Sequence, residues 1–157
     1  MKDIQIENKI IGKDRPTYFI ADIAANHDGD LQRAKDLIAL AAEAGADAVK
    51  FQHFKAETIV SDFGFKELKK QQSHQSSWDK SVYEVYEDAS VPHDWTLELQ
   101  ETCNNFKIHF FSSPYDFEAI DLLDDAGVPA HKIGSGDITW TGILERISKS
   151  NKPIFIA

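Results

Sequence analysis

The sequence predicts an α/β fold in which parallel strands alternate with helices, and three features predict it. Short runs rich in Val, Ile, Phe and Ala recur along the chain, each about the length of a strand. The stretches between them space their apolar residues as helix faces do, and two of these stretches close on a glycine (Gly45, Gly127) before the next strand. The resulting order, strand then helix four times over and then a strand, is that of parallel crossover units.

The first strand is expected over residues 17–25, where Tyr18, Phe19, Ile20, Ala21 and Ile23 form a run interrupted only by Asp22, and it reads as buried. Asn26-His27-Asp28-Gly29-Asp30 follows as a turn, with Asp30 placed to cap a helix. Asn26 suits a left-handed backbone, and it and His27 read either as turn formers or as site residues. Leu31, Ala34, Leu37, Ile38, Ala41 and Ala42 line one face of a helix over 31–44. The second strand covers residues 46–52. Because side chains alternate along a strand, Ala48, Lys50 and Gln52 share one face, and Val49 and Phe51 share the other. A strand that carries a cation and an amide on one face offers them to a shared interior. The pattern recurs at Lys132-Ile133-Gly134-Ser135-Gly136-Asp137.

Residues 53–93 form a long polar stretch, expected to be a lid or an ordered excursion. His53 and His74 within it read as solvated, with metal ligation the lesser alternative, and Trp78, Tyr83 and Tyr86 read as a packing patch. A helix over 94–106 with Cys103 buried in it, a third strand over 107–113, a helix over 116–126, a fourth strand over 129–135, a helix over 138–150 and a fifth strand over 153–157 complete the series. Gly127, Gly134 and Gly136 read as tight-turn residues, Gly136 also as a place where backbone can approach a phosphate.

The chain has 157 residues, 42% of them hydrophobic, which suits one domain over 1–157 with a real core. Its net charge of -9 argues against nucleic acid and anionic membrane surfaces, though not against a phosphorylated metabolite held by buried lysines. A lone cysteine rules out an internal disulfide and suggests a reducing cytoplasm. Residues 1–13 are polar, without the apolar core of a signal peptide, and no apolar run reaches the roughly 18–20 residues of a membrane span. A closed eight-stranded barrel takes about 250 residues. Five strands therefore imply a fragment, chains that pair to cover open edges, or an open doubly wound sheet.

Four ordered motifs carry a resemblance. Ala21-Asp22-Ile23-Ala24-Ala25-Asn26-His27-Asp28-Gly29, Gly45-Ala46-Asp47-Ala48-Val49-Lys50-Phe51-Gln52, Phe110-Phe111-Ser112-Ser113-Pro114 and Val128-Pro129-Ala130-His131-Lys132-Ile133-Gly134-Ser135-Gly136-Asp137 resemble, in order and spacing, those of the N-acetylneuraminate (sialic acid) synthase family. Lys152-Pro153-Ile154 resembles the start of its fifth strand, so the likeness covers about residues 16–157. The resemblance implies a partial (β/α)8 TIM barrel, strands one to five with intervening helices, from the N-terminal part of a synthase domain. It implies condensation of phosphoenolpyruvate with an N-acyl amino sugar, giving a nonulosonic acid for surface polysaccharide and releasing phosphate. It also implies a divalent metal (Mn or Mg) whose ligands lie beyond Ala157, and either a homodimer or a missing C-terminal half. The isolated chain is expected to be inactive.

Position by position, the resemblance implies that Lys50 and Lys132 bind phosphoenolpyruvate and that Ser113 and Ser135 contact the phosphate. It places Asp22, Gln52 and Asp137 on the amino sugar, with Asp22, Lys50 and Lys132 as the catalytic set and Gly136 in the cradle. Asp22 and Asp137 stand where Glu is common, and Ala24 where Gly is common. Each shorter acid recedes by about one carbon–carbon bond, and ~1 Å misplacement can cost ~100-fold in rate. The expectation is a bulkier amino sugar than N-acetylmannosamine, to be decided by comparing both sugars in assays of a full-length homologue. Two alternatives stay open: a lysine Schiff-base aldolase and a non-catalytic binding remnant.

Overall fold

The computed structural model describes residues 2–67 and 78–157. Five strands lie in parallel ladders: β3 (Ile20–Ala24), β4 (Ala48–His53), β5 (His109–Pro114), β6 (His131–Ile133) and β7 (Ile154–Ile156). They are preceded by an antiparallel hairpin of β1 (Ile4–Ile6) and β2 (Lys9–Ile11). The ladder order is β3-β4-β5 in one sheet and β6-β7 in another, and the sheets abut at β5 and β6. The long crossover helices are α1 (Leu31–Glu43), α5 (Trp95–Phe106), α6 (Phe117–Asp125) and α7 (Thr141–Ser148). This is the α/β architecture of parallel strands and helices that the periodicity predicts.

The helices form where the sequence places their signals. Asp30 accepts hydrogen bonds from the N–H groups of Gln32 and Arg33 and so opens α1. Asp116 does the same for α6 through the N–H of Ala119. The main core lies between these helices and the sheet: Ile23, Val49, Phe51 and Phe110 from the strands meet Ala34, Ile38, Leu99, Cys103 and Leu123 from the helices. Burial there pushes the Cys103 thiol up to about 12, so it behaves as a small core hydrophobe. A second cluster, Ile6, Ala48, Phe111 and Ala130, fills the opposite face of the sheet. Val49 and Phe51 therefore do face away from Ala48, as the period-two pattern requires.

Several expected elements are corrected. Residues 1–13 were expected only to be polar, yet they supply the hairpin. Its Ile6 is buried against the sheet, and Lys9 bonds the Asp47 carboxylate at 2.7 Å. The first strand is shorter and less buried than expected: Phe19, Ile20 and Asp22 are exposed, and only Ile23 is buried. It is an edge strand with one ladder partner, and an edge leaves one flank uncovered. The third strand begins at His109, because Lys107 takes a left-handed φ of 59° at the end of α5. The fourth strand is only His131–Ile133; Ser135–Asp137 form a 3-10 turn, and α7 starts at Thr141 rather than 138. The polar stretch 53–93 contains α2 (Ala56–Ile59), α3 (Asp62–Glu67) and α4 (Val82–Asp88), the last opened by a reciprocal Ser81–Glu84 capping box. Gln71, Gln72, His74, Gln75, Ser76 and Ser77 lie outside the described residues.

The turn after β3 is strained at Ala24, not at Asn26. Ala24 has φ 52°, at a register shift in the β3–β4 ladder, and Asp28 (φ 51°) and Gly29 (φ 71°) follow. A left-handed Ala costs about 1–2 kcal/mol, partly offset by the entropy a glycine would lose on folding. Ala24→Gly is therefore expected to stabilise the chain by about 0.5–1 kcal/mol. The urea midpoint reads this directly, and an unchanged or lower midpoint would show that the bulge carries no strain.

Candidate active site

The strand ends gather polar side chains by register. Asp22, Lys50 and Phe111 are paired across β3, β4 and β5, and one layer further along Gln52 is paired with Ser113. Lys50 is 8% exposed, and its ammonium meets the Asp22 carboxylate at 2.6 Å. On β6, Lys132 is half-buried beside Phe155 and donates to the carbonyl of Ile133 at 2.8 Å. Burial, then repulsion from Lys50, lowers the pKa of the Lys132 amine, with Asp22 opposing. The two amines therefore share one electrostatic environment. The 3-10 turn then presents Ser135, Gly136 and Asp137, and burial raises the pKa of the Asp137 carboxyl.

All eight residues singled out from the sequence (Asp22, Lys50, Gln52, Ser113, Lys132, Ser135, Gly136 and Asp137) line one cleft of about 670 Å³ at the C-terminal ends of the strands. A more apolar hollow of about 320 Å³ lies next to it, lined by Asp22, Lys50 and Lys132 together with Ile20, Phe111 and Phe155. The lysines thus stand at the boundary between a polar mouth and an apolar floor. Gly134 and Gly136 lie in the tight turn closed by the Asp137 N–H on the Gly134 carbonyl, and of the three glycines only Gly127 (φ 72°) takes a left-handed φ. A side chain added at Gly136 would meet nothing within 4 Å, which leaves its backbone open to a ligand.

Sequence alone does not single out Phe54, Ile59 or Tyr115, which complete the wall with Tyr86, Gly134 and Ala157. Tyr115 carried a usable signal, since it lies two residues beyond Ser113 and so continues the same strand face. Tyr86 was expected in a lid patch with Trp78 and Tyr83; its ring lies 5.5 Å from Phe54, and it lines the cleft directly.

The histidine expectations change most. His53 is not solvated. It ends β4, is 1% exposed, and bonds Ser112 Oγ at 2.6 Å through Nδ1 and Thr96 Oγ1 at 2.8 Å through Nε2. Burial, then the neighbouring His93 and His27, brings its pKa down to about 4. His27 is fully buried edge-on to Trp95, and its Nδ1 accepts from the N–H of Gly29, which makes it a turn-and-core residue. Among the described residues no three His, Cys, Asp or Glu side chains converge as metal ligands, and none of the helices is long and apolar enough to cross a membrane. The described residues therefore do not fit a metal.

Two converging ammonium groups, serine hydroxyls and a pair of carboxylates equip the cleft for a small dianion beside a hydroxyl-rich partner. Residues 37–157 match the NeuB family. The chain belongs to the NeuB family. It is 35% identical to the spore coat polysaccharide biosynthesis protein SpsE of Bacillus subtilis over its whole length. Over 93% of its length it is 37% identical to the N,N'-diacetyllegionaminic acid synthase of Legionella pneumophila. The crystal structure of the N-acetylneuraminic acid (sialic acid) synthetase of Leptospira borgpetersenii in complex with citrate superposes with a TM-score of 0.82 at 28% identity, covering 99% of this chain and 49% of that one. The chain spans about 40% of the length of the curated relatives it matches, 41% of SpsE and 40% of the Legionella synthase.

Proposed function

We propose that this chain forms the first five strands of a TIM barrel, as a single domain, and carries the phosphoenolpyruvate cradle of a nonulosonate synthase. The whole enzyme joins phosphoenolpyruvate to an N-acyl amino sugar and releases phosphate, for surface polysaccharide made in the cytoplasm. The observation that carries the reading is the meeting of Lys50 and Lys132 with Ser113 and Ser135 in one cleft. Two cations and two hydroxyls match a phosphate and a carboxylate on one small molecule.

In this mechanism Lys50 and Lys132 hold the enol phosphate, and the exposed backbone of Ser135 and Gly136 completes its cradle. Gln52 and the two acids face the sugar. The methylene carbon of phosphoenolpyruvate attacks the sugar aldehyde, forming the carbon–carbon bond. The aldehyde oxygen becomes an alkoxide and takes a proton. Asp137, whose raised pKa keeps its proton to higher pH than an ordinary aspartate, is the donor. Water then adds at the neighbouring carbon. Asp22, an acceptor held by Lys50, takes the water proton, and the tetrahedral intermediate collapses to the ketone as its carbon–oxygen bond to phosphate breaks, the hydroxyl proton leaving with the phosphate. The metal of the whole enzyme, with its ligands, and the remaining barrel strands belong to further polypeptide, from a C-terminal half or a second subunit.

Calorimetry on the 157-residue chain tests the reading. Phosphoenolpyruvate is expected to bind, and no phosphate is expected to be released when amino sugar and Mn are added. Absence of binding overturns the cradle, and phosphate release overturns the need for more polypeptide. One observation favours a second reading: the lowered pKa of Lys132 leaves more of its amine unprotonated, as imine formation requires. Borohydride trapping of a pyruvate adduct on Lys132 would favour the aldolase, and its absence the synthase.

A further inference from the structure

Tyr115 stands in the cleft as a rigid, protonated hydroxyl to which no role has been given. Its backbone N–H donates to the carbonyl of His53 at 3.0 Å, which extends the β4–β5 pairing by one rung beyond Pro114. Its ring packs edge-on against Phe54 with centroids 6.0 Å apart. The side chain is therefore held by backbone and ring together, and rotation away from the cleft would break an aromatic contact.

The hydroxyl has a defined polarity. Gln52 Nε2 lies 2.9 Å from it, and an amide nitrogen can only donate, so the phenol oxygen accepts. Its own proton is left to donate, and among the described residues the hydroxyl makes no second hydrogen bond. Burial, then the Asp137 carboxylate, keeps the phenol protonated, with the Gln52 bond opposing. Space is left beside it: a side chain placed at Gly134 would come within 3.5 Å of the hydroxyl, and glycine keeps that volume free. The bond also orients Gln52, whose amide oxygen remains as an acceptor. The pair thus presents one donor and one acceptor, both neutral, one layer further along the strands than Lys50.

We propose that Tyr115 is a specificity-determining residue that, with Gln52, reads neighbouring hydroxyls on the neutral, polyhydroxylated half of the substrate. One hydroxyl accepts from the phenol, and its neighbour donates to the Gln52 carbonyl. A cationic or purely apolar ligand half would waste both groups, and an anionic one is served by the lysines. The assignment rests on the synthase reading for its substrate class and adds to it the residue that recognises the sugar.

The test uses the 157-residue chain, with phosphoenolpyruvate and N-acetylmannosamine as separate probes in calorimetry, and Tyr115→Phe as the variant. Phe keeps the ring and its packing on Phe54, so melting temperature is expected to hold. Loss of one neutral hydrogen bond is expected to weaken sugar binding about 3- to 10-fold while phosphoenolpyruvate binding stays within twofold. A merely structural tyrosine would shift both affinities and the melting temperature together, and that result overturns the assignment. Unchanged sugar affinity in the variant, or no sugar binding by the unaltered chain, overturns it too while phosphoenolpyruvate binding still stands. Failure of phosphoenolpyruvate to bind overturns the underlying reading instead.

Discussion

Lys132→Met is expected to weaken phosphoenolpyruvate binding severely while leaving the empty protein at least as stable. Lys132 is compensated differently with and without a ligand. Without one, its ammonium is half-buried, its only hydrogen bond among the described residues is to the Ile133 carbonyl next to it in the chain, and it is repelled by Lys50. Lys50 itself is satisfied by Asp22 at 2.6 Å, so Lys132 is the less compensated of the two cations. With a dianion bound, that same charge is fully used. Removing a partly desolvated, charge-assisted contact costs about 2–3 kcal/mol, roughly 30- to 150-fold in dissociation constant. Methionine keeps the apolar stem that packs near Phe155 and removes the repulsion, so the variant is expected to gain up to ~1 kcal/mol of stability. Opposite signs in the two measurements mark a group held in place for binding. Wild-type affinity in Lys132→Met would show that the dianion sits elsewhere. A large loss of stability would show that Lys132 is structural.

The parts of this site legible in the sequence are those fixed by local rules. The alternation of β4 follows from period two alone, and it correctly sends Lys50 and Gln52 one way and Val49 and Phe51 the other. Asp30 at the start of α1 and the glycines at 45 and 127 are equally local. What escapes is set by distant partners. His53 looks like the first residue of a polar loop, yet its burial depends on Ser112 and Thr96, 59 and 43 positions away. Ile4, Ile6 and Ile10 are scattered among charges, and the hairpin they form is anchored by Ile6 against Ala48 and Phe111 and by Lys9 on Asp47. The end of β6 at Ile133 is also hidden, since Gly-Ser-Gly-Asp can continue a strand or turn, and only the 3-10 bond from the Asp137 N–H to the Gly134 carbonyl decides. Functionally this error was harmless, because the turn delivers Ser135, Gly136 and Asp137 to the cleft that a longer strand would also have reached.

Acidification from pH 7 to pH 4 is expected to remove about 3 kcal/mol of stability through His53 alone. The histidine has a pKa of about 4 in the folded protein against 6.5 unfolded, and each unit of difference is worth about 1.4 kcal/mol. Above pH 6.5 both states hold it neutral and its contribution is complete. As pH falls between 6.5 and 4 the unfolded chain takes up the proton and the folded one does not, so stability is lost; below 4 both are protonated and the loss levels off. Folding resists the proton because the ring is 1% exposed and His93 and His27 lie near it. His27, His109 and His131 are shifted in the same direction, each chiefly by burial, so the whole protein has a steeper acid dependence than His53 alone gives. Comparison with His53→Gln isolates the contribution of this histidine. The variant loses part of the Ser112–Thr96 bridge and starts less stable at pH 8. From there to pH 4, however, its urea-derived stability should fall by about 3 kcal/mol less than that of the parent. Parallel curves for the two proteins would mean that the imidazole protonates in place, and that the end of β4, with the cleft residues beside it, does not depend on a neutral histidine.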